Sequence, residues 1–266
     1  MLHLMIFLFF LGALLLLWMF RQSRRYQVSA HRASVAKTLS SPLRILHLSD
    51  IHLHGKDRPV GVFFEELGRE TYDFIFITGD IFDSPAGAAG AALFQKLKSR
   101  HGIYAVFGNH DYFNYGPWDL PLHYTPGQGA PHEPQPTELF EKALKAAGVR
   151  LLRNETVEVS PGATPILIHG LDDPITGHAN IRQAMLNFDP AKLNILLTHS
   201  IDVFLDIGEN EVDISFSGHS HGGQVCLPLI GPVLTHTLLG RQYASGIHAL
   251  KGATCMISRG LGTSRF

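Results

Sequence analysis

Residues Ile103 to Asp111 read IYAVFGNHD, five apolar residues that break directly into Gly-Asn-His-Asp. So short and continuous an apolar run predicts a strand buried on both faces, with the polar tetrad at its carboxyl end. The same sequence grammar recurs along the chain. Leu43 to Ser49 (LRILHLS) leads into Asp50-Ile51-His52, and Asp73 to Thr78 (DFIFIT) into Gly79-Asp80. Leu193 to Thr198 (LNILLT) leads into His199, and Val212 to Ser217 (VDISFS) into Gly218-His219-Ser220-His221. Pro165 to His169 (PILIH) is a sixth strand. Helical patterns over Val60 to Arg69, Gly90 to Ser99, Thr137 to Ala147 and Ala179 to Asn187 alternate with these runs, which predicts an α/β layered domain. Leu151 to Val159 reads as a pair of strands turning near Asn154, so part of the sheet is expected to be antiparallel.

Ligand sites in open α/β sheets lie beyond the carboxyl ends of strands, where five polar clusters can converge. In Asp50-x-His52 and His219-x-His221 the spacing of two puts both side chains on one side of an extended chain. Gly79, Gly108 and Gly218 are expected to supply tight turns. The inventory is Asp50, Asp80, Asn109, His52, His199, His219 and His221, with His110 beside them. Hard oxygen with imidazole nitrogen and no thiolate suits Mn, Fe, Zn or Mg. Seven donors exceed one tetrahedral ion and suit two cations sharing a carboxylate, with positions left for water. Each cluster alone has a structural explanation, and their ordered recurrence after apolar strands carries the inference.

The rest of the 266-residue sequence sets the context. With 45% hydrophobic and 17% charged residues it is neither disordered nor fibrous, and its net charge of -1 excludes a globally basic nucleic-acid binder. Cys226 and Cys255 have no metal-type spacing. From Leu4 to Phe20 the sequence LMIFLFFLGALLLLWMF carries no charge and no proline. Residues 1–20 are long enough as a helix to cross a bilayer, which predicts one N-terminal transmembrane anchor rather than a cleaved signal. Arg21, Arg24, Arg25, Arg32, Lys37 and Arg44 precede the first acid, Asp50, so the neutral total hides a positive end and a negative body. By the positive-inside rule the remainder is expected in the cytoplasm, with residues 21–42 a basic juxtamembrane linker and 43–266 the catalytic domain. Residues 112–136 carry six prolines and five aromatics. That is longer than ordinary loops, and the segment reads as a lid or a disordered insert, the lid being preferred.

The series Asp50-x-His52, Gly79-Asp80, Gly108-Asn109-His110-Asp111, His199 and Gly218-His219-x-His221 resembles the calcineurin-like metallophosphoesterase superfamily. LLRNE (Leu151 to Glu155), GLDDP (Gly170 to Pro174), GHSHGGQV (Gly218 to Val225) and SRGLGTS (Ser258 to Ser264) are similar to its membrane-associated bacterial branch of UDP-2,3-diacylglucosamine pyrophosphohydrolases. GDIFDS and GNHD differ from the GDxVDRG and GNHE of protein Ser/Thr phosphatases. The resemblance implies a four-layer αββα sandwich of two mixed sheets. It assigns one metal to Asp50, His52, Asp80 and His221 and another to Asp80, Asn109, His199 and His219, Asp80 bridging, with manganese preferred. It casts His110 as the group that stabilises phosphoryl charge or protonates the leaving oxygen, and Asp111 as the group that orients its imidazole. Relatives continue past SRGLGTS into a further strand, whereas this sequence stops at Arg265-Phe266, after every metal motif.

The function expected on these grounds is an inner-membrane, two-metal hydrolase of a phosphodiester or pyrophosphate in a lipid-linked substrate such as UDP-2,3-diacylglucosamine. No nucleic acid and no obligate protein partner are inferred. The alternatives are a phosphodiesterase acting on phospholipids or nucleotides, and a non-catalytic metal-binding scaffold at the membrane.

Overall fold

The computed structural model describes residues 26–262 except 38, 40, 56–57, 116–131, 163, 224–225, 228–230 and 233–234, together with scattered positions between 3 and 17. The chain divides into Met1–Arg32 and Ala33–Phe266. In the first unit the described positions from 3 to 17 are helical, with Phe7, Phe9 and Phe10 exposed. The remainder of the expected span lies outside the described residues. Among those described, no helix is long and apolar enough to cross a membrane.

The second unit is built on two sheets. The first has strand order β1 (Ile45–Leu48), β2 (Phe74–Thr78), β3 (Ile103–Val106) and β4 (Val149–Leu151), every described pairing parallel. The second comprises β5 (Glu155–Val159), β6 (Ile166–Gly170), β7 (Leu193–Leu197), β8 (Ile214–Ser217), β9 (Gly246–Leu250) and β10 (Ala253–Ile257), in the spatial order β9-β10-β8-β7-β6-β5. Its β6-β7, β7-β8 and β8-β10 pairs are parallel, and the edge strands β5 and β9 are antiparallel.

Alternation along each strand explains why the sheets stack. Phe74 and Phe76 of β2 and Tyr104 and Val106 of β3 meet Ile166 and Ile168, Ile195 and Leu197, and Ile214 and Phe216 from the second sheet in one buried cluster. The intervening residues Ile75, Ile77 and Ala105 are fully buried as well, as period-two side-chain direction requires of strands covered on both faces. On the outer side of the first sheet lie α1 (Arg58–Leu67) and α3 (Thr137–Ala146), burying Phe63, Phe64, Phe140 and Leu144. Ala184 of the single turn α4 (Ile181–Ala184), and Val203 and Phe204 of the helical turn Ile201–Leu205, pack with Leu196 and Cys255 on the far side of the second sheet. The result is the expected four layers. Val35, Leu39 and Leu43 also rest on the inter-sheet cluster, so the chain joins the core ahead of β1.

Several expectations are corrected. The Gly90 to Ser99 helix is instead a run of tight 3-10 turns over Pro85–Lys96, after which Lys98–Ser99 pairs with Thr71–Tyr72. Gly87 of that run abuts the Leu53 carbonyl, where a Cβ would sit 2.0 Å from the oxygen. The Ala179 to Asn187 helix shrinks to α4, capped by Asn180, whose side chain accepts from Gln183 N. The two strands flanking Asn154 do form, but they are no hairpin. β4 ends the first sheet and β5 begins the second, and Asn154, at φ 56°, turns the chain between them. The β9-β10 hairpin escaped the sequence reading, although Lys251-Gly252 marks its turn with φ 47° and 84°.

Candidate metal centre

The clusters converge because the loops leaving the strands are bonded to one another. Asp50 N donates to Gly79 O and His52 N to Asp80 O, both at 3.0 Å, and Gly218 N donates to His199 O at 2.9 Å. From the C-terminal side, Leu261 N donates to Ser49 O and Gly262 N to Asp50 O. Two glycines make room. A Cβ on Gly218 would lie 1.7 Å from Ser49 Oγ and 2.3 Å from Asp50 Oδ2, and one on Gly79, at φ 80°, would lie 2.3 Å from His199 Nδ1. The service of Gly218 is therefore close approach rather than the turn expected of it.

Five of the seven expected ligands hold the left-handed backbone conformation that side chains other than glycine rarely adopt. They are Asp50, His52, Asp80, His219 and His221, with φ between 48° and 68°. Each such residue costs on the order of 1–3 kcal/mol and persists where its surroundings over-determine it. The interleaved bonds above are those surroundings.

Among the described residues, three groups of side chains come close enough to hold an ion: Asp50, His52, Asp80 and His221; Asp80, His199 and His219; and His52, Asp83 and His110. The first two share Asp80. Asn109 joins the second, its Oδ1 lying 3.2 Å from His199 Nε2. His199 Nδ1 donates to the Thr78 carbonyl at 3.0 Å, which fixes the tautomer and leaves Nε2 for the centre. Imidazole nitrogens then face each other twice, His199 Nε2 and His219 Nδ1 at 3.1 Å and His52 Nε2 and His221 Nε2 at 3.4 Å. His219 Nε2 is buried with no hydrogen-bond partner among the described residues. Facing lone pairs next to buried carboxylates fit divalent cations.

The electrostatics agree. Burial opposes ionisation of Asp80, but His199 and His110 hold its carboxyl well below the usual range. Burial lowers His199, while Asp80 and then Asp50 and Asp173 raise it more, to about 10, so the field at its imidazole favours positive charge. Burial and the neighbouring His199 keep His219 far below the usual imidazole range, and burial brings His221 down to about 4. Both therefore keep a lone pair to offer. When bound, divalent cations supply a lowered pKa for water and charge compensation for a phosphoryl group.

His110 lies beside the candidate ligands. Its backbone N–H donates to Asp80 Oδ1 at 2.9 Å, and its Nδ1 lies 2.9 Å from Asp83 Oδ1. Burial works against a charged His110, and Asp80 and Asp83 raise its pKa nonetheless. The carboxylate that orients His110 is thus Asp83, where the sequence reading expected Asp111. Asp111 turns inward instead, accepting backbone N–H groups from Ile81, Phe82 and Gly108. It sets the two motif loops against each other. Asp83 stands three residues after Asp80 in GDIFDS, a spacing that was its only sequence signal.

Behind the turn α2 (Asn109–Tyr112), Tyr112 Oη donates to Asp172 Oδ1 at 2.7 Å and accepts from Arg153 Nη2 at 2.8 Å, while Arg153 Nε donates to Asp172 Oδ2. The LLRNE and GLDDP motifs therefore meet to brace the Asn109-His110 turn. Of the proposed lid, residues 112–136, positions 116–131 lie outside the described residues. Within its two described ends, Phe113–Asn114 and Glu133–Pro134 pair antiparallel.

The calcineurin-like phosphoesterase family model matches residues 43–223. The chain belongs to the calcineurin-like phosphoesterase family. This phosphoesterase is 32% identical over 229 residues to the uncharacterized metallophosphoesterase YkoQ of Bacillus subtilis (strain 168), covering 83% of this chain and 76% of that one. It is 23% identical to the phosphodiesterase YaeI of Escherichia coli (strain K12), over 90% of this chain and 82% of that one. It is 26% identical to the UDP-2,3-diacylglucosamine pyrophosphatase LpxG of Chlamydia trachomatis serovar D, over 83% and 78%. As a member of this family the phosphoesterase is a metal-dependent hydrolase of phosphoric esters, with its Asp and His cluster suited to divalent metals.

Proposed function

We propose that the protein is a dinuclear hydrolase that cleaves a phosphodiester or pyrophosphate bond in a lipid-linked substrate, with UDP-2,3-diacylglucosamine the leading candidate. The observation that carries the two-metal reading is the sharing of Asp80 between Asp50, His52 and His221 on one side and His199 and His219 on the other. Asn109 completes the second group. In this reading the seven residues hold two divalent ions, manganese preferred, and His110, oriented by Asp83, donates to the phosphoryl or leaving oxygen. The similarity to a protein named for UDP-2,3-diacylglucosamine supports the substrate. The uncharged Leu4 to Phe20 segment followed by Arg21, Arg24 and Arg25 supports an inner-membrane anchor with the catalytic domain cytoplasmic.

The test is an assay of the metal-reconstituted full chain on UDP-2,3-diacylglucosamine, phospholipids, soluble diesters and soluble monoesters. Preference for the lipid-linked pyrophosphate is expected, and preference for soluble monoesters would sink the lipid proposal. A C-terminal tag reachable from the periplasm would overturn the topology. Two bound ions with no hydrolysis of any phosphoester would leave the scaffold alternative standing.

A further inference from the structure

Two imidazoles outside the ligand set border the centre. His110 lies on the His52 side, with ring centroids 4.7 Å apart. The other, His236, meets the ring of His219 edge to face, centroids 5.8 Å apart at 67°. His236 belongs to none of the motifs that carry the family resemblance.

Its placement is imposed. His236 holds φ 45°, a left-handed conformation unfavourable for any residue with a Cβ. The chain immediately after it is clamped by Asp202, whose carboxylate accepts from Thr237 Oγ1 at 2.5 Å and from Leu238 N at 3.0 and 3.1 Å. Asp202 stands in the helical turn that follows His199 directly, and its own N–H donates to Ser200 Oγ at 3.2 Å. One short segment thus carries both a ligand and the clamp that holds His236 over another ligand. The half-buried His236 ring hydrogen-bonds to no described residue. Internal packing therefore gives no reason for an imidazole there, and an N–H donor left without a partner beside a cation site is suited to an anionic oxygen.

We propose that His236 is a substrate-contacting residue whose imidazole donates a hydrogen bond to a phosphoryl oxygen at the His199–His219 end of the centre. With His110 at the His52 end, donors then bracket the phosphoryl group from both sides. The inference rests on the phosphoesterase reading and adds to it a contact from outside the motifs that carry the resemblance.

The test uses the full chain loaded with Mn2+, as wild type, His236→Gly and His236→Asn. Glycine accepts the left-handed backbone while removing the ring, and asparagine tolerates that backbone while keeping an N–H donor. Bound metal, the affinity for inorganic phosphate by calorimetry, and kcat/KM on bis(4-nitrophenyl) phosphate are measured. The expected result is unchanged metal content, with phosphate affinity and kcat/KM both lowered about tenfold or more in His236→Gly and partly restored in His236→Asn. Wild-type phosphate affinity and kcat/KM in His236→Gly would overturn the proposal. So would loss of metal from that variant, since His236 would then act only through His219. A metal-loaded wild type that hydrolyses no phosphoester would instead overturn the phosphoesterase reading, and phosphate calorimetry would still report on His236.

Discussion

His110 and Asp83 pair at the edge of the metal-suited cluster, with Nδ1 and Oδ1 2.9 Å apart, and the same Asp83 oxygen lies 3.4 Å from His52 Nδ1. One carboxylate thereby faces both the candidate ligand His52 and the proposed proton donor. The neighbouring His110 and His52 outweigh burial and hold Asp83 far below the usual carboxylate range. In Asp83→Asn the oxygen still accepts but the charge is gone. The expected outcome is kcat lower by about 10- to 100-fold with KM and bound metal nearly unchanged, read from steady-state kinetics and metal analysis of one preparation. A variant matching wild-type kcat would remove Asp83 from the mechanism.

Gly218 tests the convergence of the strand ends. A methyl group there collides with both Ser49 Oγ and Asp50 Oδ2, and the Asp50 carboxylate also accepts His219 N at 3.0 Å. Gly218→Ala is expected to weaken metal binding at least about tenfold while circular dichroism still shows the α/β fold. Titration of the metal-free protein with Mn2+ measures it.

Asp111 separates a structural carboxylate from a catalytic one. Burial, and then Asp80, push it up to about 7, while N–H groups from Gly108, Phe82 and Ile81 work the other way. Asp111→Asn would turn an NH2 group toward those donors. Destabilisation of about 1–3 kcal/mol is expected from the urea midpoint, and if activity falls while stability does not, the inward-facing role is wrong.

His47 supplies a pH dependence outside the ligand set. Its Nε2 lies 2.8 Å from Thr78 Oγ1 and its ring packs edge-on against Phe216, centroids 5.2 Å apart, between the two sheets. Burial lowers its pKa from 6.5 to about 4 against the pull of Asp50. The unfolded chain therefore takes up this proton at a higher pH than the folded one. The stability due to neutral His47 is complete above about pH 6.5 and is lost as pH falls through 4. Partial solvent contact reduces the effect to about 2 kcal/mol. Urea unfolding at pH 7, 5.5 and 4 should show His47→Gln losing less stability on acidification than wild type. Equal losses would refute the assignment.

The strands and the candidate ligands were legible in the sequence for one reason. Strands covered on both faces must be apolar throughout, so DFIFIT and LNILLT stand out, and polar clusters that each have a structural explanation alone become informative by recurring after one such strand after another. The helices were less legible. Pro85–Lys96 has helix-forming alanines, but Gly87 must pass against the Leu53 carbonyl and the segment tightens into 3-10 turns. Asn154 could be recognised as a turn from its type, but not as the point where the chain leaves one sheet for the other, because that depends on which strands pair across more than forty residues.

The sequence by itself determined the apolar strands, the donors at their ends and hence the family and the kind of chemistry, since those depend on residue type and local order. The tertiary structure decided what each carboxylate does. Asp111 adjoins His110 in the chain yet turns to backbone N–H groups, while Asp83, twenty-seven residues away, reaches its imidazole. It also brought His236 to His219. Side-chain direction is set by backbone conformation and by long-range hydrogen bonds, and neither is written in local sequence.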